Sequence, residues 1–105
     1  MKVYYQVVIT TCANAEQAQA IAHALVEESL AACVNIVPQI QSVYLWQGSV
    51  QSDAEYLLVI KSSADKFTAI ETQIKALHSY ELPEIIAVPI IDGSAEYLAW
   101  LSTPK

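Results

Sequence analysis

The sequence predicts one α+β domain in which two helices pack on one face of an antiparallel sheet. A length of 105 residues is close to the commonest size of a single domain, and no Pro-, Gly- or Ser-rich run or charge block divides the chain. Apolar segments typical of strands alternate with segments of helical spacing in the order βαββαβ, followed by a short terminal helix. We therefore expect one domain that spans residues 1–105.

The first two elements are a strand and a helix. Residues Lys2 to Ile9 are rich in Val, Tyr and Ile, which favours a strand buried on both faces or nearly so. Asn14 is a good N-cap, and Gln17 follows at the spacing of a capping box. Apolar residues then recur at helical spacing, and we expect this helix to end near Leu30.

A long hairpin is predicted over residues 33–61. Its first strand begins at Cys33, is bent by Pro38 and continues to Trp46. Gln47, Gly48 and Ser49 form the turn, after which an apolar strand returns.

The last three elements are a helix, a strand and a short helix. Ser63 is expected to cap the second helix, whose narrow apolar stripe covers residues 67–77. Residues Ile85 to Ile91 form the last strand, in which Pro89 cannot donate a ladder hydrogen bond, so this strand should lie at an edge or begin a bend. Ser94 is the expected N-cap of the terminal helix.

This order of elements is the split-βαβ, ferredoxin-like arrangement: a ferredoxin-like βαββαβ sandwich with an additional short C-terminal helix. Both main helices then lie on one face of the sheet, and we expect no helix of this chain to cover the other face. Strands that are almost wholly apolar cannot leave that face in water. Packing against further copies of the chain is the physical expectation.

The composition disfavours nucleic acid and membranes as partners. Five basic and eleven acidic residues give a net charge of -6, which disfavours nucleic acid because counterion-release binding needs a basic surface. No stretch is long and apolar enough for a membrane span, and we expect no signal peptide because Gln6 and the Thr10-Thr11 pair interrupt the first apolar run. Two cysteines with no disulfide or zinc-ribbon spacing favour a reduced, cytoplasmic protein.

Three segments resemble those of one known family. They are LVEESLAACVNIVPQIQSVYLWQG at residues 25–48, LLVIKSSADKF at 57–67 and LHSYELPEIIAVPIIDGSAEYLAWL at 77–101. Together they resemble the CutA divalent-cation-tolerance family over nearly the entire chain. The resemblance implies a ferredoxin-like fold, a tight homotrimer like that of PII signalling proteins, and a role in tolerance of copper and other divalent cations.

The richest polar cluster follows the second helix. His78, Tyr80, Glu81 and Glu84 fall within seven residues beside Pro83. Imidazole suits copper, zinc and nickel, while carboxylates suit harder ions, so the cluster could bind a divalent metal. The alternative is structural: His78 would cap the helix and the carboxylates would bond backbone groups at a trimer contact.

The candidate metal ligands are His78, Glu81 and Cys33. The resemblance associates copper binding with a thiol late in the first strand and a histidine at the end of the second helix; the first-strand position here is Thr10, so only His78 matches. Glu81 would help to complete the shell. The alternative for Cys33 is a buried, inert thiol, and Cys12 is expected at a strand-to-helix turn, where a helix N-terminus could lower its pKa.

The function predicted is that of a trimeric cytoplasmic protein in divalent-metal (copper) tolerance, with weak metal binding and no enzymatic activity. Copper or another divalent cation is the one cofactor implied. The alternative is a PII-like signalling or protein-interaction module without metal. Tyr44, Trp46 and Trp100 could line a pocket, although large aromatic residues in a small oligomer more often anchor an interface. Lys61 could pair with a carboxylate or extend to water.

Overall fold

The computed structural model describes residues 2–103. Its helices and strands follow the predicted order. They are β1 (Tyr5–Cys12), α1 (Ala15–Glu27), β2 (Cys33–Trp46), β3 (Ser49–Ser63), a 3₁₀ turn (Ala64–Lys66), α2 (Phe67–Leu77), β4 (Ile86–Ile90) and α3 (Ala95–Ser102).

The four strands form one antiparallel sheet in the order β2-β3-β1-β4. This confirms the α+β, ferredoxin-like prediction. β4 pairs only with β1, so Pro89 lies on an edge strand, as expected from its missing N–H.

Side chains alternate between the two faces of the sheet, and one face carries the core. Val8, Leu58 and Ile60 are fully buried there against the apolar stripes of α1 and α2. Ile21 of α1 and Ile74 of α2 are also fully buried, because the two helices close the core over the sheet.

The opposite face, called here the open face, is apolar across its centre. The apolar residues here, on the neighbouring strands β3, β1 and β4, are Val7, Ile9, Leu57, Val59, Ile86 and Val88. Ile86 is 50% and Val88 44% exposed, so this chain leaves apolar surface uncovered along β4, at one edge of this face. The expectation that no helix touches this face was wrong at one end, where α3 packs against β3 and Tyr97 lies beside Cys33.

β2 and β3 continue past the end of β1. β1 pairs with β3 only as far as Tyr56, whereas β2 and β3 remain paired to their turn at Gln47 and Gly48. Both turn residues have positive φ, 50° and 81°, as a two-residue type I′ hairpin requires. The paired residues 40–46 and 49–55 therefore form a two-stranded projection, called here the arm.

Local signals in the sequence were right at several element ends. Asn14 Oδ1 accepts a hydrogen bond of 2.9 Å from Gln17 N, and Ser94 caps α3 in the same way. The predicted bend at Pro38 is a β-bulge between Val37 and Ile40.

The predicted boundaries of two elements, β1 and α2, were wrong. β1 starts three residues later than predicted and runs to Cys12, because its length is set by pairing with β3 and β4. Ser63 ends β3 and makes no side-chain cap; a 3₁₀ turn separates it from α2, which begins at Phe67.

Candidate functional site

The segment after α2 is anchored at its first residue by a histidine. His78 is the C-cap of α2, and its backbone N–H donates to Ile74 O at 2.8 Å. Its ring Nε2 lies 2.7 Å from the carbonyl oxygen of Thr11, and Nδ1 accepts a hydrogen bond of 3.1 Å from Tyr80 N. Because Nδ1 accepts, Nε2 carries the proton and donates to Thr11.

Both ring nitrogens of His78 are therefore engaged. The imidazole joins the end of β1 to the segment after α2, which is the structural role left open by the sequence. Coordination of a metal by Nδ1 would require the hydrogen bond from Tyr80 N to break. The ring centroids of His78 and Tyr80 are 4.7 Å apart, so the two side chains also pack against each other.

A polar side chain on α1 supports the same segment. Gln17 Nε2 donates to Leu77 O at 3.4 Å, and Gln17 Oε1 accepts from Ser79 Oγ at 3.2 Å. This explains why the predicted capping box is only half formed: the side chain of Gln17 turns to α2 rather than back to Asn14.

Tyr80 links this segment to the arm. Its hydroxyl donates to Glu55 Oε2 at 2.6 Å, and Glu55 is only 7% exposed. Burial raises the pKa of Tyr80, and the hydrogen bond to the charged Glu55 raises it further. The phenol is therefore a proton donor throughout the physiological range.

A second tyrosine–carboxylate pair lies further out on the arm. The hydroxyl of Tyr44 donates to Asp53 Oδ2 at 2.5 Å, and this hydrogen bond is the main cause of the raised pKa of Tyr44.

A cleft of about 990 Å³ lies between the arm, the end of β1 and the segment after α2. Four carboxylates and three large aromatic side chains are among the residues that line it: Asp53, Glu55, Glu81, Glu84, Tyr44, Trp46 and Tyr80.

The four cleft carboxylates have no cationic side chain beside them in the described chain. The ion pairs among residues 2–103 are His23 with Glu27 and Lys75 with Glu71, both on helix surfaces. Lys61, for which a carboxylate partner was considered, instead contacts Asn35 Oδ1 and lies 3.9 Å from Cys33 Sγ. The cleft is thus a locally negative region of an acidic protein.

The structure brings together some of the predicted metal ligands and separates others. Glu81 lines the cleft. His78 does not line it, but its ring accepts a hydrogen bond from the backbone of Tyr80, which does. Cys33 pairs with Lys61, which in turn pairs with Val7, so Cys33 lies at the same height in the sheet as Val7. Val7 is four residues from Thr11 along β1, and β2 lies two strands away from β1. That is about 13 Å along the strands and about 10 Å across them. In one chain, Cys33 is therefore remote from the other two candidates.

The two cysteines differ from expectation in opposite ways. Cys33, a candidate metal ligand for which a buried, inert thiol was the alternative, is half-buried on the open face. Cys12, expected at a turn where a helix N-terminus could lower its pKa, is fully buried on the core face, and burial followed by the charge of Glu55 raises its pKa to about 11. The strand extends through Cys12, so no helix N-terminus faces its thiol.

Metal coordination by side chains of one chain is incomplete. Among the residues that the structure describes, no group of three or more His, Cys, Asp or Glu side chains is close enough to hold one ion. A divalent ion at the cleft would need water or a neighbouring subunit to complete its shell.

The sequence reasoning missed the contribution of the arm. Asp53 and Glu55 are two residues apart on one strand and so face the same side, and this spacing is a usable signal for a pair of carboxylates at one surface. Of the three aromatic residues considered for a pocket, Tyr44 and Trp46 line the cleft, whereas Trp100 packs against Tyr97 on α3.

Comparison with known proteins connects this arrangement to a family. Residues 6–104 match the family described as CutA1 divalent ion tolerance protein. The chain belongs to this family. The divalent-cation tolerance protein CutA of Thermus thermophilus is 52% identical over 96 residues, which cover 91% of this chain and 93% of that protein.

Solved structures of the family have the same fold. A Thermus thermophilus structure superposes with a TM-score of 0.91 at 51% identity and covers 93% of this chain and 95% of that one. A CutA1 structure from Oryza sativa also gives 0.91 at 48% identity, with coverage of 94% and 91%. The chain spans about half the length of the chloroplastic CutA 1 protein of rice, to which it is 50% identical.

Names within the family mention different compartments. The rice relative is called chloroplastic, and a structure from Archaeoglobus fulgidus, 38% identical with a TM-score of 0.90 over 92% of this chain and 94% of that one, is titled a periplasmic protein. No helix in residues 2–103 has the length and hydropathy needed to cross a membrane. Cytoplasmic location stays a prediction.

Proposed function

We propose that this protein is a homotrimer that serves divalent-cation tolerance by weak, reversible binding of divalent ions in the cleft. The observation that carries the proposal is the set of four carboxylates around one cleft without a basic side chain beside them in residues 2–103. Such a region attracts cations, and membership of a divalent ion tolerance family favours a divalent one.

Glu81 and Glu84 are the proposed ligands. Both lie on the segment after α2 and line the cleft, and neither has a hydrogen-bond or ion-pair partner within the described chain. Carboxylate oxygen suits hard ions, whereas copper would favour the imidazole of His78. Because Nδ1 of that ring already accepts from Tyr80 N, copper would bind there only at the expense of this hydrogen bond.

Affinity should be modest. A single chain supplies fewer than three close ligands among its described residues, so water or carboxylates from a neighbouring subunit must supply the rest. Cys33 could contribute only to a separate site at the other end of the sheet, because it is remote from Glu81 and His78.

The trimer rests on a different observation. The open face has an apolar centre whose edge residues Ile86 and Val88 are about half exposed, and burying such a face against copies of itself would be strongly favourable. Light scattering should give the mass of three chains at micromolar concentration. A stable monomer would refute the assembly without affecting the metal proposal.

Calorimetric titration of the intact protein with Zn²⁺, Mg²⁺ and Cu²⁺ tests the metal proposal. We expect Glu81→Gln to weaken Zn²⁺ or Mg²⁺ binding by about tenfold, since a charged ligand is lost. Glu28→Gln is the matched control, because it removes the same charge from an exposed site that does not line the cleft. Equal losses in the two variants would mean that only net charge matters, and no binding to the wild type would overturn the proposal.

A PII-like interaction module is the second candidate. It is favoured by the arm, where Val43, Leu45 and Val50 are each about 70% exposed. Apolar side chains this exposed at a hairpin tip are typical of a contact surface. If the protein is such a module without metal binding, the calorimetric titrations with metal ions should show no heat of binding.

A further inference from the structure

One wall of the cleft is separate from the proposed metal ligands Glu81 and Glu84 and combines aromatic rings with a carboxylate. Tyr44, Trp46, Tyr80 and Glu55 are contributed by the arm and by the segment after α2, and all four line the cleft. We call these four residues the aromatic wall. Tyr44 and Trp46 are 43% and 40% exposed, so their rings are accessible in this chain, whereas Glu55 is 7% exposed.

Glu55 is a buried carboxylate with incomplete compensation. Among residues 2–103 its one side-chain hydrogen-bond donor is the hydroxyl of Tyr80, which binds Oε2; Oε1 has no donor there but is not fully buried, so it can be reached from the cleft. No Lys, Arg or His lies within ion-pair distance of it in that part of the chain. A carboxylate with this little exposure to water is stabilised when a cation or a further donor meets its remaining oxygen.

The pattern of ligating groups disfavours a bare metal ion at this place. A metal needs several oxygen or nitrogen atoms around one point, and the described residues bring no three such side chains together. An organic ammonium ion is larger and spreads its charge over N–H or N–CH₃ groups. It can use one carboxylate together with aromatic rings, which attract cations within about 6 Å of the ring centroid.

The size of the cleft also fits an organic ligand. A volume of about 990 Å³ is within the usual range for small-molecule sites, which combine apolar and aromatic walls with a few polar groups. We propose that the aromatic wall binds a small organic ammonium ion, with its cationic group against Glu55 and its carbon skeleton against Tyr44 and Trp46. This inference goes beyond divalent-ion binding and does not depend on it.

The test is an NMR titration of the intact, ¹⁵N-labelled protein with benzylammonium, in the presence of a metal chelator. Benzyl alcohol, a neutral molecule of nearly the same shape, is the matched probe. We expect saturable shifts of amide signals around the cleft and of the Trp46 indole N–H with benzylammonium, and at least tenfold weaker binding of benzyl alcohol. The Trp46 signal is identified by its loss in Trp46→Phe.

Two variants locate the ammonium group. Glu55→Gln keeps an oxygen that can accept from Tyr80 but removes the charge, so it should weaken benzylammonium binding by about tenfold without affecting benzyl alcohol. Tyr44→Leu, further out on the arm, should weaken it by roughly threefold. Glu81→Gln should change it less than twofold, which separates this site from the proposed metal ligands.

Three outcomes would overturn the inference. They are shifts that do not saturate at millimolar benzylammonium, equal affinity for the charged and neutral probes, and unchanged affinity in Glu55→Gln. The second outcome would define an apolar cavity without cation selectivity. If Glu55→Gln were unfolded, the Tyr44→Leu variant and the comparison of the two probes would still decide the question.

Discussion

Replacing His78 by alanine should destabilise the protein by about 2 to 3 kcal/mol. The change removes the hydrogen bond from Nε2 to Thr11 O, 2.7 Å long, and the one from Tyr80 N to Nδ1, 3.1 Å long. Each hydrogen bond contributes about 1 kcal/mol. Loss of the packing between the rings of His78 and Tyr80, whose centroids are 4.7 Å apart, adds about 0.5 to 1 kcal/mol.

Urea denaturation at a fixed protein concentration measures this change, because the stability of an oligomer depends on concentration. His23→Ala is the matched control: His23 is an exposed residue of α1 whose one ion pair, with Glu27, is 3.9 Å long, so its loss should cost less than about 0.5 kcal/mol. The stability of His78→Gln should lie between those of the two alanine variants, because an amide can still donate to Thr11 O but does not reproduce both ring contacts.

The result that would refute this reasoning is a His78→Ala variant no less stable than His23→Ala. In that case the two hydrogen bonds do not hold the segment after α2 in place. The same pair of variants also separates the two roles considered for this residue. A purely structural residue changes stability first, whereas a copper ligand changes Cu²⁺ affinity under conditions where both variants are fully folded.

Three further predictions concern buried and half-buried polar groups. The hydroxyl of Thr10 is fully buried without a hydrogen-bond partner in the described chain, so Thr10→Val should stabilise the protein by about 1 kcal/mol in the same urea assay; a loss of stability would mean that the hydroxyl has a partner. Burial raises the pKa of Cys12 from 9.0 to about 11, so the folded state holds this proton more tightly than the unfolded state. The stabilisation from this proton is complete below pH 9 and is lost as the pH rises to 11, so the free energy of unfolding should fall by about 2 to 3 kcal/mol over this range. In alkaline unfolding curves, Cys12→Ala should show a smaller fall. Finally, a thiol reagent followed by mass spectrometry should modify Cys33, which is half-buried, before Cys12; in Cys33→Ser the remaining thiol should react only as fast as the protein opens, and rapid reaction would contradict its burial.

Thr10 also bears on copper binding. The resemblance associates a thiol at this position with copper, but the side chain at residue 10 is fully buried on the core face of β1. A thiol placed here would lie beneath α1 and α2 rather than in the cleft. Position 10 is therefore a packing position in this chain.

The sequence by itself determined the features that depend on neighbours along the chain. Helical spacing predicted α1 and α2, the side chains of Asn14 and Ser94 marked two helix starts, and Pro38 marked the bulge in β2. Alternation and turn residues were enough to predict the hairpin and, with the handedness of crossovers, the order of the sheet. These signals are local because caps, turns and side-chain periodicity are set within a few residues.

Only the tertiary structure decided which polar groups meet. His78 bonds Thr11, which is 67 residues earlier, and Tyr80 bonds Glu55 across the end of the sheet. These contacts depend on strand register and on where the arm extends beyond β1, and no local pattern contains either. For the same reason Cys12 was expected near solvent and is buried. Whether a titratable side chain faces the core, the open face or the cleft is decided by the packing of elements that are distant in the sequence.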